Sequence, residues 1–110
     1  MSKRDELMTK YADALTKIGV KPDMDLLMRA VKACGPSIYT ADAETVAASD
    51  AAEVNRVKQN FMMKRLGMAE GDCDAAMEKA LDTFGGSNRN KYRAVMYDLL
   101  ATETGNTDKL

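Results

Sequence analysis

Apolar side chains along this chain recur mostly at intervals of three and four residues, the spacing that places them on one face of an α-helix. In residues 3–18 the positions Leu7, Tyr11 and Leu15 form such a stripe, and Gly19 follows it. No segment alternates apolar and polar positions for long enough to be a strand, so the pattern predicts an all-α protein. The same helical spacing is found in residues 24–33, 50–66, 73–83 and 88–102.

Residues that start and stop helices stand at the ends of these segments. A glycine comes shortly after each segment, as is usual at a helix C-terminus. Residues 36–49 are less regular, and we expect Asp42 to cap one or two helical turns there. We therefore expect a compact single domain of five or six short helices over residues 1–105, and a frayed tail at residues 106–110. The predicted N-caps are Ser2, Asp23, Ser49, Asp72 and Ser87.

Two helical hairpins within this domain show a faint likeness to each other. Gly19 and Gly35 bracket the second helix of the first hairpin, and Gly67 and Gly85 bracket the corresponding helix of the second. The hairpins either form a quasi-repeat or look alike because any two amphipathic helices that end at glycine do so.

The composition allows one hydrophobic core and limits its chemistry. Of the 110 residues, 45% are hydrophobic but only 5% are aromatic, and nine are methionines. The core is therefore expected to be aliphatic, with methionines such as Met62 and Met96 filling it. The alternative is an adaptable binding groove lined by methionines.

The absence of histidine excludes several functional classes. Catalytic triads that use histidine, histidine-ligated zinc or haem, and the usual pH switch all require it. Cys34 and Cys73 lack CxxC spacing, so we expect no metal site. Nothing in the sequence indicates secretion, and because cytosolic thiols stay reduced we expect no disulfide between them. Residues 1–10 contain no apolar signal-peptide segment, and the longest uncharged stretch, residues 33–41, is too short to span a membrane. We expect a cytoplasmic protein without a cofactor.

The segment from Gly85 to Arg93 is the most informative for function. Residues 83–97 contain no acid, and three cations give this stretch a charge of +3 at the predicted start of a helix. Cations are unfavourable there because the helix dipole is positive at its N-terminus. A residue type that is unfavourable in its local structure is typical of a functional site. In addition, the free N–H groups at the start of a helix bind anions.

On a continuous helix, Arg89, Arg93 and Tyr97 lie in a row with Asn90 beside them. The alternative role is structural, because these arginines can reach a carboxylate or a helix C-terminus of another element. The sequence thus predicts an anion or ligand site composed of Ser87, Asn88, Arg89, Asn90, Arg93 and Tyr97.

Other charged groups give weaker indications. The net charge of −1 and the few aromatic residues argue against nucleic acid as a partner. The Asp-x-Asp pairs at positions 23/25 and 72/74 lack the rest of a calcium-binding loop, so we interpret them as helix caps and first-turn acids. A second cationic group comprises Arg56, Lys58, Lys64 and Arg65. It either contributes to a nucleic-acid face or forms a solvated helix face with i,i+4 pairs.

Three strings of the sequence resemble those of a known family. They are residues 20–27, residues 35–39 and, most distinctively, residues 87–95, which begin Ser-Asn-Arg-Asn-Lys-Tyr-Arg. They are similar to a small bacterial family that is catalogued only as a domain of unknown function. The resemblance implies a compact, soluble, helical protein over nearly the whole chain, and it brings no activity, cofactor or catalytic residue.

No constellation of potential catalytic side chains stands out, so we do not expect an enzyme. The sequence favours a non-enzymatic interaction or binding module. The alternative is a protein that binds a phosphate-containing ligand or nucleic acid through residues 87–93.

Overall fold

Helices account for most of the chain, as the period of the apolar positions predicts. The computed structural model describes residues 3–47, 49–85 and 91–110. In that part of the chain, extended backbone pairs only at an isolated bridge between Thr45 and Tyr92, so the predicted all-α class is confirmed. The helices are α1 (Lys3–Lys17), α2 (Met24–Cys34), α3 (Ala41–Glu44), α4 (Ala51–Val57), α5 (Glu70–Phe84) and α6 (Arg93–Glu103). Two 3₁₀ turns (Gly35–Tyr39 and Thr107–Lys109) and a π-helical segment (Lys58–Met63) connect or extend them.

Helix α6 lies at the centre of the fold. Every residue from Ala94 to Ala101 is buried, so this helix is covered on all sides. It packs against α2, α5 and α1. A helix that is apolar around most of its circumference is stable only inside a protein, and α1, α2, α3 and α5 cover α6 here.

The core is aliphatic and rich in methionine, as the composition predicts. Met62 and Met96 are fully buried, and Met8 and Met77 are 5% exposed. Met28, Met63 and Met68 are partly buried against the same core. Flexible thioether side chains fill irregular gaps well, and the buried methionines do so here, whereas Met63 and Met68 also line surface depressions.

Several helix boundaries differ from the predicted ones. The last helix starts at Arg93 rather than at Asn88, because Tyr92 is extended (φ −61°, ψ 137°) and bridges to Thr45. Asp50 rather than Ser49 caps α4, and its Oδ1 accepts a hydrogen bond of 3.0 Å from the Ala52 N–H. Helix α5 begins at Glu70, so Asp72 lies in its first turn and is not its cap.

The C-terminal residues 106–110, for which the sequence predicts a frayed tail, make several contacts with the domain. Residues Thr107–Lys109 form a 3₁₀ turn, and Leu110 packs against the core. The Arg29 guanidinium donates a hydrogen bond of 3.0 Å to the Thr107 carbonyl. The anchor comes from α2, distant in sequence, so local composition does not reveal it.

None of the helices described is both long enough and apolar enough to cross a bilayer.

Candidate anion-binding groove

Arg93 of the predicted site makes structural contacts. Its Nη2 donates to Glu53 Oε1, and its Nε donates to the Ala43 carbonyl at 2.9 Å. The side chains of Arg93 and Glu53 are only 14% and 13% exposed. Burial alone would raise the pKa of the Glu53 carboxyl, but hydrogen bonds from Arg93 and Arg56 outweigh it and hold this pKa below its usual range. Arg93 therefore joins α6 to α3 and α4.

Tyr97 lies one turn further along α6 and forms part of an aromatic stack. Its ring lies parallel to that of Phe61, with the centroids 3.8 Å apart and the planes 4° apart. Burial raises the pKa of the Tyr97 hydroxyl, and the neighbouring Arg93 guanidinium partly offsets the rise. Tyr97 is 9% exposed, so little of its side chain is open to solvent.

The rest of the predicted site, Ser87, Asn88, Arg89 and Asn90, lies outside the described residues. The predicted row of Arg89, Arg93 and Tyr97 requires a continuous helix, and the extended Tyr92 interrupts it. Anion binding by residues 87–90 stays a prediction. Arg93 is not free to take part in it, because its guanidinium already bonds to Glu53 and to the Ala43 carbonyl.

The second cationic group divides into paired and unpaired members. Arg56 bonds to Glu53 at 2.9 Å. Lys58 lies 3.2 Å from Asp74 and 3.5 Å from Glu70, and these carboxylates, Asp74 foremost, raise its pKa. Lys64 and Arg65 are exposed and make no ion pair with any described residue. The expected i,i+4 pairing of a solvated helix face therefore does not extend to them.

A third cation, Lys109 of the C-terminal turn, lies near these two unpaired residues. Lys109 is exposed and likewise forms no ion pair within the described chain. The three cations border one open depression of about 600 Å³, which contains no acidic lining residue. We call this depression the basic groove, and its lining is Ala33, Asn60, Phe61, Lys64, Arg65, Tyr97 and Lys109.

The π-helical segment Lys58–Met63 positions one side of the basic groove. Its wider turn is closed by hydrogen bonds across five residues, such as Lys64 N–H to Gln59 O at 3.3 Å and Leu66 N–H to Phe61 O at 2.9 Å. Such turns are rare and frequently occur at functional sites. Here the segment buries Phe61 and leaves Asn60 exposed at the groove.

Sequence reasoning missed the groove because its parts are distant along the chain. Lys64 and Arg65 were visible as part of a cationic group, but Lys109 lay in a tail that was expected to fray. One signal was available in the sequence. The acidic residues that follow Lys64 and Arg65 are placed to pair with Lys58, which leaves Lys64 and Arg65 without an acidic partner. Glu70 and Asp74 lie on one face of α5, and both pair with Lys58.

A polar cluster between α1, α3 and the start of α6 was also missed. Lys10 Nζ donates to Glu44 Oε2 at 2.9 Å, and the Tyr11 hydroxyl donates to the same oxygen at 2.7 Å. Lys10 also lies 4.6 Å from the centre of the Tyr92 ring. Because every member has a partner, this cluster fastens α3 to α1 and the start of α6.

Metal-binding and thiol chemistry have little support in the described part of the chain. No group of three or more cysteine, aspartate or glutamate side chains in it could hold a metal ion. Cys34 and Cys73 are both free thiols. Burial raises the pKa of Cys34 to about 12, which keeps this thiol protonated and poorly nucleophilic.

The comparison with known families addresses the resemblance seen in the sequence. A family model described as "Protein of unknown function (DUF2853)" matches residues 10–108. The chain belongs to the DUF2853 family. The match spans all three strings that carry the resemblance, and it confirms that resemblance to a domain of unknown function. No curated protein matches this DUF2853 chain, so its own side chains must suggest its function.

Proposed function

We propose that the chain is a non-enzymatic binding module that takes an anionic ligand in the basic groove. The observation that carries the proposal is the meeting of Lys64, Arg65 and Lys109 around one depression without an acidic residue in its lining. Unpaired cations from two elements repel one another modestly, and an anion that binds among them relieves that repulsion.

The exposed position of these side chains supports a binding role over a structural one. Removing a buried, paired cation such as Arg93 disturbs the fold, whereas Lys64, Arg65 and Lys109 are exposed and support no described ion pair. A cytoplasmic location accompanies the proposal, since the free thiols Cys34 and Cys73 suit a reducing compartment.

The test compares two triple variants of equal charge change. The groove variant is Lys64→Gln/Arg65→Gln/Lys109→Gln. The control variant is Lys3→Gln/Arg4→Gln/Lys21→Gln, which removes two lysines and one arginine at exposed positions elsewhere. Amide resonances of ¹⁵N-labelled protein are followed during titration with glutamate-rich peptide, inorganic tripolyphosphate and single-stranded DNA.

We expect at least one of these anions to shift resonances of residues 60–65 and 109 in the wild type and the control variant. The groove variant should lose the shifts while its circular dichroism spectrum and melting temperature stay within a few degrees of the wild type. If no anion distinguishes the groove variant from the control, the proposed function is wrong.

A further inference from the structure

We infer that the ligand of the basic groove is an acidic segment of a partner polypeptide. This inference rests on the proposed function and names the ligand class of the same groove. It follows from three properties of the lining, namely the aromatic packing, the helix polarity, and the mixture of charged and neutral groups.

The aromatic residues of the groove are unavailable for stacking a nucleobase. Phe61 and Tyr97 lie face to face with centroids 3.8 Å apart, and they are 2% and 9% exposed. Proteins that bind single-stranded nucleic acid need open aromatic faces on which bases stack. Because each ring already covers the other, the groove retains the positive charge of a nucleic-acid site without its stacking surface.

The helix polarity at the groove disfavours a compact phosphate. Lys64 and Arg65 follow the π-helical segment, at the C-terminal end of the helical stretch that begins with α4. The backbone N–H groups of Lys64, Arg65 and Leu66 all donate within that stretch, to Gln59 O, Phe61 O and Phe61 O. Phosphate sites typically use free N–H groups at a helix N-terminus. A helix C-terminus is partially negative, so it disfavours a phosphate, which concentrates two negative charges at one point, more than it disfavours single carboxylates spaced along a polypeptide.

The neutral lining residues match a polypeptide. The Asn60 amide can both donate to and accept from a peptide backbone, and Ala33 contributes a small apolar surface. The groove volume of about 600 Å³ lies within the roughly 300–1,000 Å³ of sites that bury multi-group ligands. Two or three carboxylates on a short chain segment would each reach a cation, with backbone and small side chains between them.

The experiment titrates ¹⁵N-labelled full-length protein with four probes at matched ionic strength. The first is a blocked six-residue peptide in which glutamate and aspartate alternate with alanine. The second is the same peptide with glutamine and asparagine in place of the acids. The third and fourth are inorganic tripolyphosphate and a six-nucleotide single-stranded DNA. The groove variant and the control variant defined above are titrated alongside the wild type.

We expect the acidic peptide to bind at least ten-fold more tightly than the neutral peptide, and more tightly than tripolyphosphate or DNA. Its shifts should map to residues 60–65 and 109. Affinity should fall by at least ten-fold in the groove variant, remain within about two-fold in the control variant, and weaken as salt rises.

The alternative outcomes separate the two claims. Tighter, groove-dependent binding of tripolyphosphate or DNA overturns the polypeptide inference and leaves the anion-binding function standing. Peptide binding that persists in the groove variant places the contact elsewhere and overturns the inference. Absence of groove-dependent binding by every probe overturns both.

Discussion

Asp98 is a charged side chain inside the core of the described chain, with 3% exposure. Its Oδ2 has no hydrogen-bond partner among the described residues. Burial raises the pKa of this carboxyl to about 6, the Asp23 carboxylate adds to the rise, and a hydrogen bond with Thr102 partly offsets it. Because an ionised carboxylate is costly in such surroundings, Asp98 makes folding depend on pH.

The direction of this dependence follows from proton linkage. The folded protein binds the proton more tightly than the unfolded chain, whose aspartates titrate near pH 4. The contribution of the protonated Asp98 carboxyl to the stability of the fold is therefore complete below about pH 4. It declines above that pH and is lost as the pH rises through about 6. Asp98→Asn should remove this part of the pH profile and raise the free energy of unfolding at pH 8 by about 2 kcal/mol. Urea unfolding at several pH values measures both effects.

The exposed Asp13 provides the control for this experiment. Asp13→Asn should leave the profile between pH 4 and pH 8 almost unchanged. Should Asp98→Asn retain the wild-type slope in that range, another group would be responsible for it.

Arg93 illustrates how far sequence reasoning reaches for a single residue. A cation at a predicted helix start marked this position as unusual, and both an anion site and a structural ion pair were reasonable interpretations. The partner, Glu53, lies in another helix, and only the folded chain brings its carboxylate to the guanidinium. The sequence thus identified the residue but could not identify the contact that explains it.

The Arg93–Glu53 contact predicts a large loss of stability on mutation. Arg93→Gln removes the donors to Glu53 and to the Ala43 carbonyl. Breaking a fully buried pair costs about 3–5 kcal/mol. Since Arg56 still bonds to Glu53 here, we expect about 2–3 kcal/mol by urea unfolding.

Adding Glu53→Gln tests whether the pair itself is responsible. The double variant should lose less stability than the sum of the two single variants, because the second change removes an unpaired acid. Strict additivity would mean that Arg93 stabilises the fold through other contacts.

At the scale of the helices, the sequence predicts that a helix is present more accurately than it predicts where the helix begins and ends. The segments 3–18 and 24–33 closely match α1 and α2. The segment 50–66 instead divides into α4 and a π-helical segment. Val57, Phe61 and Leu66 are buried, and their spacings of four and five residues suit the wider turn. Apolar spacing alone does not separate a π turn from an α turn, because its selection depends on packing against α5 and α6.

The glycines provide a matched test of the helix ends. Gly35 terminates α2 with φ +64° and ψ −145°, a conformation that is essentially restricted to glycine. Gly35→Ala should therefore destabilise the protein by about 1–3 kcal/mol. Gly71 lies in the first turn of α5, where an added Cβ meets no atom within 4 Å. Gly71→Ala should stabilise by up to about 1 kcal/mol.

Thermal unfolding of the two alanine variants in parallel checks both signs. Equal melting temperatures for the two variants would contradict the assigned backbone conformation at Gly35.

At the scale of the whole molecule, the pattern predicts an all-α fold because the buried positions repeat locally within each helix. It does not predict that α6 lies at the centre, since that depends on which helices pack on which. The basic groove has the same origin, because Lys109 reaches Lys64 and Arg65 only after Arg29 and Leu110 fix the C-terminal turn. Properties that arise from contacts between distant segments, such as these two, are therefore the ones that could not be predicted from the sequence.

The central position of α6 predicts a gradient of local stability. Residues Ala94–Ala101 are buried on every side, so their amides should exchange with solvent only when the whole protein unfolds. Helix α3 is a single turn that is held largely by polar contacts, such as Glu44 with Lys10 and Ala43 with Arg93. Its amides should exchange through local opening, at least ten-fold faster than those of α6.

Leu100→Ala separates the two exchange routes. Removing this fully buried side chain should cost about 2–5 kcal/mol of global stability. Protection of the α6 amides should fall by the same free energy, whereas exchange of the Ala43 and Glu44 amides should scarcely change until global unfolding overtakes local opening. Hydrogen exchange followed by NMR at low denaturant concentrations measures both sets. Equal exchange rates in α3 and α6 of the wild type would show that the two unfold together, and would contradict the local opening of α3.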